Sequence, residues 1–217
     1  MSQGIDSAPV TSMFYETAKN DHGLPHDPIK ACIIPRPIGW ISSVSAAGVV
    51  NLAPYSFFNA VSTSPTLVMY GSVGHSRHGE KDSLHNIEET REFVVNIATW
   101  DLREAMQRTS SSLAPDIDEF DHAGLERLPS RLVTPPRVKG SPIHLECTLH
   151  QIVELPHDDP TSRNAMVLGR VVGVHIDDSV IVNGRVDPGR VKPIARLGYL
   201  DYSLVDNTFS LGNRSSK

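Results

Sequence analysis

Between His144 and Leu155 the chain alternates apolar and polar residues. Leu145, Cys147, Leu149, Val153 and Leu155 share one parity; His144, Glu146, Thr148, His150 and Glu154 share the other. A period of two predicts a long, half-exposed antiparallel strand. Met166 to Ile176 follows with Gly169 and Gly173 inside it, and glycines within a long strand mark the bends or bulges that barrel corners need. Shorter apolar runs predict further strands over 31–34, 38–45, 49–52, 66–70 and 93–98, with a hairpin-type turn at Ala46-Ala47-Gly48. Two helices are expected. Ser83 can cap 84–90, and Asp101 can cap a second with Glu104 in the capping-box position and Leu102, Ala105, Met106 and Leu113 on one face. Many strands, few helices and no strand–helix alternation predict a mainly β chain, a closed or split β-barrel with antiparallel, Greek-key-like connections. Residues 1–28 read as an N-terminal arm, 29–206 as one barrel domain and 207–217 as a flexible tail.

Composition narrows the functional classes. The 217 residues can bury a real core, and at 39% hydrophobic they are too apolar for a disordered chain. No apolar run approaches the roughly 20 residues of a membrane span, and the opening residues lack a basic and an apolar signal region. A net charge of −5 argues against nucleic acid and anionic lipid as partners. Cys32 and Cys147 lie far apart and form no CxxC, which points to a reduced, cytoplasmic protein.

The strong catalytic fingerprints are missing: no GxGxxG follows a strand, and HExxH and GxSxG do not occur. The stretch Gly74-His75-Ser76-Arg77-His78-Gly79-Glu80-Lys81 fails as a P-loop, because Glu80 holds the lysine position and Lys81 the Ser/Thr position. It still has physical content. Between a strand and a helix it places glycines, the hydroxyls of Ser72, Ser76 and Ser83, the cations Arg77 and Lys81, and a helix start, a set suited to a phosphate monoester. An ordinary solvated loop with a helix cap is the alternative. In Pro35-Arg36-Pro37-Ile38-Gly39-Trp40-Ile41-Ser42-Ser43, a Trp between Gly and a Ser pair can frame a flat aromatic ligand or simply anchor the core. Asn51 to Ala60 concentrates aromatics beside Asn51, Ser56 and Asn59. His75, His78 and His85 have a metal-like spacing, but Arg77 lies between two of them and no Cys completes a set, so no metal site is assigned.

These three stretches, in this order and spacing, resemble the flavin reductase-like family of FMN-binding split β-barrels. The similarity runs over roughly 13–205, through Pro-Arg-Pro-Ile-Gly-Trp-Ile-Ser, Asn-Leu-Ala-Pro-Tyr-Ser-Phe-Phe-Asn, Lys81-Asp82-Ser83-Leu84, Phe93-Val94-Val95-Asn96 and Arg196-Leu197-Gly198-Tyr199 with Tyr202. The resemblance implies a homodimer with FMN near the subunit interface. By position, Trp40, Ile41, Ser42 and Ser43 would lie against the flavin ring and ribityl chain, and Ser56, Phe57 and Asn59 would bound the ring's other side. Ser72, Arg77, Lys81, Asp82 and Ser83 would surround the phosphate, with Asp82 orienting Lys81. Gly198 to Tyr202 departs from the glycine pair common in the family, on the side where nicotinamide would enter.

The activity so implied is hydride transfer from NADH or NADPH to flavin, with a monooxygenase or other flavin-accepting enzyme as possible partner. That step requires no side-chain acid or base, and no catalytic residue is assigned. Two alternatives remain: an FMN-bearing electron carrier of the flavoredoxin type with no nicotinamide site, and a non-enzymatic barrel that binds flavin weakly.

Overall fold

The computed structural model describes residues 12–75, 79–114 and 117–212. Arg77, one of the expected phosphate ligands, lies outside the described residues. The chain starts with a short helix α1 (Ile29–Cys32) and strand β1 (Arg36–Pro37), then runs through β2 (Gly39–Val44), β3 (Val50–Tyr55), β4 (Phe58–Thr63) and β5 (Thr66–Val73). Helix α2 (Asp82–Thr90) leads into β6 (Glu92–Ile97), followed by helices α3 (Arg103–Arg108) and α4 (Glu119–Ala123). The short pair β7 (Arg127–Leu128) and β8 (Arg137–Val138) precedes the long hairpin of β9 (Ile143–Leu155) and β10 (Asn164–Ile176). A second short pair, β11 (Ile181–Val182) and β12 (Arg185–Val186), then helix α5 (Pro188–Val191) and strands β13 (Ile194–Arg196) and β14 (Tyr202–Leu204) complete the fold.

Seven of these strands form one antiparallel sheet in the order β3-β2-β6-β9-β10-β5-β4. Its two edge strands, β3 and β4, are joined only by Ser56 and Phe57. Opposite edges of a flat seven-stranded sheet would stand about 29 Å apart at about 4.8 Å per strand, so a two-residue link forces the sheet to curl until its edges meet. The result is a barrel split along one seam, as the strand pattern predicts. Phe57 extends the β4–β5 ladder by one rung, its carbonyl accepting the Gly71 amide at 2.7 Å. The curl also uses the expected glycines: the β9–β10 register shifts between Leu168 and Gly169 and between Val171 and Gly173. A Cβ on Gly169 would stand 2.2 Å from the Phe93 ring, so this bend requires the missing side chain.

Alternation on β2 builds two cores. Ile41 faces the barrel interior with Tyr70, Leu84, Ile87, Phe93 and Cys147. Trp40 faces outward, under α3 and α4, with Leu52, Met106, Phe120 and Ile194. The exposed amide of an edge strand needs a partner, and on β3 the Leu52 N–H donates to Glu119 Oε2 of α4 at 2.9 Å.

Several local expectations shift. The strand read over 31–34 is instead α1 followed by a turn into β1, because Asp27 Oδ1 accepts the Ile29 amide and starts a helical turn between prolines. Helix α2 begins at Asp82 with Lys81 at the N-cap, and the Ser83 hydroxyl is turned inward rather than capping. Helix α3 starts after Leu102 with no side-chain cap and ends at Arg108, short of Leu113. On β9 the polar residues His144 and Glu146 are buried, not solvated. The segment 131–138 covers them, with the Arg131 and Leu132 amides donating to Glu146 and the His144 ring bonded to the Val138 carbonyl.

Candidate functional site

The seam opens into two adjoining cavities. The larger, about 890 Å³, is lined by Ser56 and Phe57 from the seam link, Arg36 and Ile38, Gly71 and Val73 of β5, Gln107 and Ser110 after α3, and Arg196, Tyr199 and Tyr202 of the C-terminal strands. The smaller, about 240 Å³, lies over the start of α2 and is lined by Asn51, Lys81, Asp82, Ser83, Thr109 to Leu113 and Glu119. Pro54, Tyr55, Lys81 and Ser110 border both. Lys81 is therefore the hinge point between a wide compartment with aromatic walls and a small one rich in hydroxyls.

Charge is arranged against the chain's overall sign. Lys30, Arg36, Lys81 and Arg196 border the larger cavity against a single carboxylate, Asp27. Burial, and then the charge of Lys30, hold the Lys81 ammonium below the usual lysine range. Its Nζ lies 5.4 Å from the centre of the Tyr55 ring. Among the described residues no carboxylate forms an ion pair with it. A partly desolvated cation of this kind favours an incoming anion.

The walls are fixed by a network of hydrogen bonds. The Tyr55 hydroxyl is pushed up to about 12 chiefly by burial, against the pull of the neighbouring hydroxyls of Ser83 and Ser72. Asn51 Nδ2 donates to Ser83 Oγ at 2.7 Å and to Ser43 Oγ at 3.4 Å. Arg36 donates to the carbonyls of Lys30, Ile33 and Leu197, tying α1 to the C-terminal turn. Arg196 donates to the Tyr202 hydroxyl and the Tyr199 carbonyl, and Tyr202 donates on to Gln107 Oε1 at 2.9 Å. In the smaller cavity burial lifts the Glu119 carboxyl to about 7 against the pull of the Leu52 amide; the neighbouring charges of Asp82 and Asp118 add to the rise.

The expected site residues divide into four groups. Ser56, Phe57 and Lys81 line the larger cavity, and Lys81, Asp82 and Ser83 the smaller. Ser72 stands behind the wall, buried against Tyr55. Asn59 lies on β4, borders neither cavity, and bonds its own neighbour, the Ala60 amide. Trp40, Ile41, Ser42 and Ser43, expected against the ring and ribityl chain, are buried and border neither cavity. The strand β2 is covered on both faces and hydrogen-bonded along both edges. Trp40 Nε1 donates to Thr109 Oγ1, Ser42 Oγ donates to the Pro136 carbonyl, and Ser43 Oγ accepts from Asn86. These side chains hold the wall rather than face the cavity.

Sequence reading missed Tyr55, Lys30, Arg36, Arg196, Glu119 and the run Ser110-Ser111-Ser112. The serine run was a visible signal, since three consecutive hydroxyls follow α3 and return the chain to the start of α2. Arg36 was also visible, fixed between two prolines. Lys30, Arg196 and Glu119 come from distant segments, and only the topology brings them together. Among the described residues no group of three or more His, Cys, Asp or Glu is gathered as a metal would need. No helix among them is long and apolar enough to cross a membrane.

Comparison with known proteins places this cavity in context. Residues 31–192 match the flavin reductase like domain. An uncharacterized protein of Aquifex aeolicus (strain VF5) is 34% identical over 167 residues, covering 76% of this chain and 82% of that one. The crystal structure of nitrilotriacetate monooxygenase component B from Bacillus cereus superimposes with a TM-score of 0.82 at 31% identity, covering 94% of this chain and all of that one. A split barrel domain protein from Shewanella frigidimarina NCIMB 400 shares the fold, with a TM-score of 0.74 at 21% identity over 92% of this chain and 94% of that one.

Proposed function

The chain belongs to the flavin reductase like family, and from that premise we propose that it binds FMN in the seam cleft and reduces it with NADH or NADPH. Electrons then pass to a second flavin or another acceptor. The observation that carries this reading is Lys81, a partly buried cation at the junction of an aromatic-walled cavity and a hydroxyl-rich one. A flat heterocycle with a phosphorylated tail has the matching shape and charge.

The residues present fit that group. Lys81 with the hydroxyls of Ser83, Ser110, Ser111 and Ser112 would hold the phosphate, and Phe57 and Tyr55 would bound the ring. When bound, FMN supplies the redox chemistry, accepting a hydride and passing electrons onward. The protein's own residues bind, orient and shield. Arg36, anchored by three carbonyls, and Arg196, fixed by Tyr202, keep positive charge beside the wide cavity, where negative charge on a reduced ring or a dinucleotide is stabilised without reorganisation. Glu119, lifted to about 7, is about half protonated at neutral pH beside the small cavity, which reduces its repulsion of a phosphate.

The reading includes a homodimer with flavin near the interface. Phe57, Tyr199 and Leu200 leave an exposed apolar rim on the cleft that a second copy would cover. Cys32 and Cys147 are both unpaired, in keeping with a cytoplasmic setting. A monooxygenase or another flavin-using enzyme is the acceptor proposed.

Anaerobic mixing of the FMN-loaded protein with NADH and with NADPH tests the activity. Loss of the flavin absorbance within seconds with one of them is expected. A flavin that stays oxidised with both would indicate an electron carrier reduced by another protein. A chain that takes up no FMN would contradict the reading altogether.

A further inference from the structure

A second large cavity, about 740 Å³, shares no lining residue with the flavin-side pair and has no part in the chemistry above. Its walls come from β8, the start of β9, the end of β10 and the segment leading into α5. Four cations, Arg131, Arg137, Lys139 and Arg190, line it against two carboxylates, Asp101 and Asp177.

The bonds these groups already make leave donors to spare. Lys139 pairs with Glu126 at 2.6 Å, and Asp177 Oδ1 accepts the Ser179 amide at 2.8 Å. Arg137 donates from Nε and one terminal nitrogen to the Pro129 carbonyl, and Arg190 donates from one terminal nitrogen to the Ser179 carbonyl. A guanidinium carries five N–H donors, so both keep free hydrogens. Among the described residues the Arg131 guanidinium makes no hydrogen bond or ion pair. Its backbone is nonetheless fixed, because the Arg131 and Leu132 amides donate to fully buried Glu146, which also holds His175. Burial pushes the Glu146 carboxyl up, but the Arg131 amide, the His175 ring and the Leu132 amide outweigh it and keep it ionised.

One neutral acceptor joins this cationic set. His144, buried to 3% exposure, lines the cavity, and its Nε2 is committed to the Val138 carbonyl at 2.9 Å as a donor. Nδ1 is then a lone pair, and it is buried without a partner among the described residues. Burial, ahead of the charges around it, holds this ring down to about 4, so it is neutral at pH 7. That acceptor has essentially no accessible surface, so the cavity presents the free guanidinium donors alone and calls for an anionic ligand.

We propose that this cavity is a second binding site for a small phosphate monoester, such as a sugar phosphate, with Arg131, Arg137 and Arg190 taking the phosphoryl group. The site is independent of the flavin reading. Calorimetric titration of ribose 5-phosphate and of inorganic phosphate into the full chain, with FMN in excess to fill the flavin side, tests it. Both compounds bind saturably, and Arg131→Ala weakens each about tenfold or more. Arg131 is exposed, so its variant keeps the parent melting temperature and flavin binding. No saturable binding of either compound, or binding lost in Lys81→Ala but kept in Arg131→Ala and Arg190→Ala, overturns the site.

Discussion

Replacing Lys81 with alanine separates the phosphate from the rest of the flavin. Of the described residues that border both the hydroxyl-rich and the aromatic-walled cavity, Lys81 alone carries a positive charge. A charge-assisted hydrogen bond is worth about 1.5–3 kcal/mol, which is about 10- to 150-fold in Kd. Lys30, whose charge already acts on the Lys81 ammonium, remains in the variant and restores part of the field. The expected loss for FMN is therefore in the lower part of that range, about 10- to 30-fold. Riboflavin has the same ring and no dianion, so it loses only contact with the lysine stem, about threefold or less. Quenching of flavin fluorescence gives both dissociation constants under one set of conditions. Lys81→Arg, which keeps the charge, restores most of the FMN affinity, and a melting curve checks that each variant is folded. Equal losses for the two flavins would refute the placement of the phosphate beside Lys81.

Three further outcomes follow from the same geometry. A carboxyl raised from its ordinary 4.5 to about 7 binds its proton more tightly in the folded state, so Glu119 favours folding most below about pH 4.5 and loses that contribution as pH rises through 7. The loss amounts to about 3 kcal/mol. His144, held down to about 4, acts in the opposite direction over an overlapping window, so the effect is read as the difference in urea midpoints between the parent and Glu119→Gln from pH 5 to 8; a pH-independent difference would contradict it. Trp40→Phe removes the donor to Thr109 and leaves a gap under α3, lowering stability by about 1–3 kcal/mol in denaturant melts. Its FMN affinity stays within about threefold of the parent; a larger specific loss would return Trp40 to the ligand. Gly169→Ala forces a methyl against Phe93 and destabilises by about 1–3 kcal/mol in the same assay, whereas an unchanged midpoint would show that the ring can move aside.

Much of the barrel was legible from patterns that one strand can carry alone. The parity of 144–155 and the glycines at 169 and 173 predicted the long hairpin and its bulges, because alternation and missing side chains are local consequences of the pleat. Where the seam would fall was not legible. It arises because β3 and β4 are neighbours in sequence and opposite edges in the sheet, which only the pairing order reveals. The same limit governs the site. Lys81, Asp82 and Ser83 could be found as a cation and hydroxyl at a helix start, and Ser56 and Phe57 as an aromatic link. Arg196 and Glu119 could not, since long-range packing alone brings them to the cavities. The motif around Trp40 reads two ways for a related reason. A residue between Gly and Ser on a central strand looks much the same whether it frames a ligand or fills the core, and here Thr109 holds its indole inside.

The central claim is that the seam cleft holds FMN with its phosphate over the start of α2. A crystal structure of the protein grown with FMN measures this directly. The account predicts the phosphate within hydrogen-bond distance of Lys81 and the serines at 83 and 110–112, with the ring extending past Tyr55 towards Phe57. Flavin seated elsewhere on the barrel, or a phosphate turned away from Lys81, would contradict it.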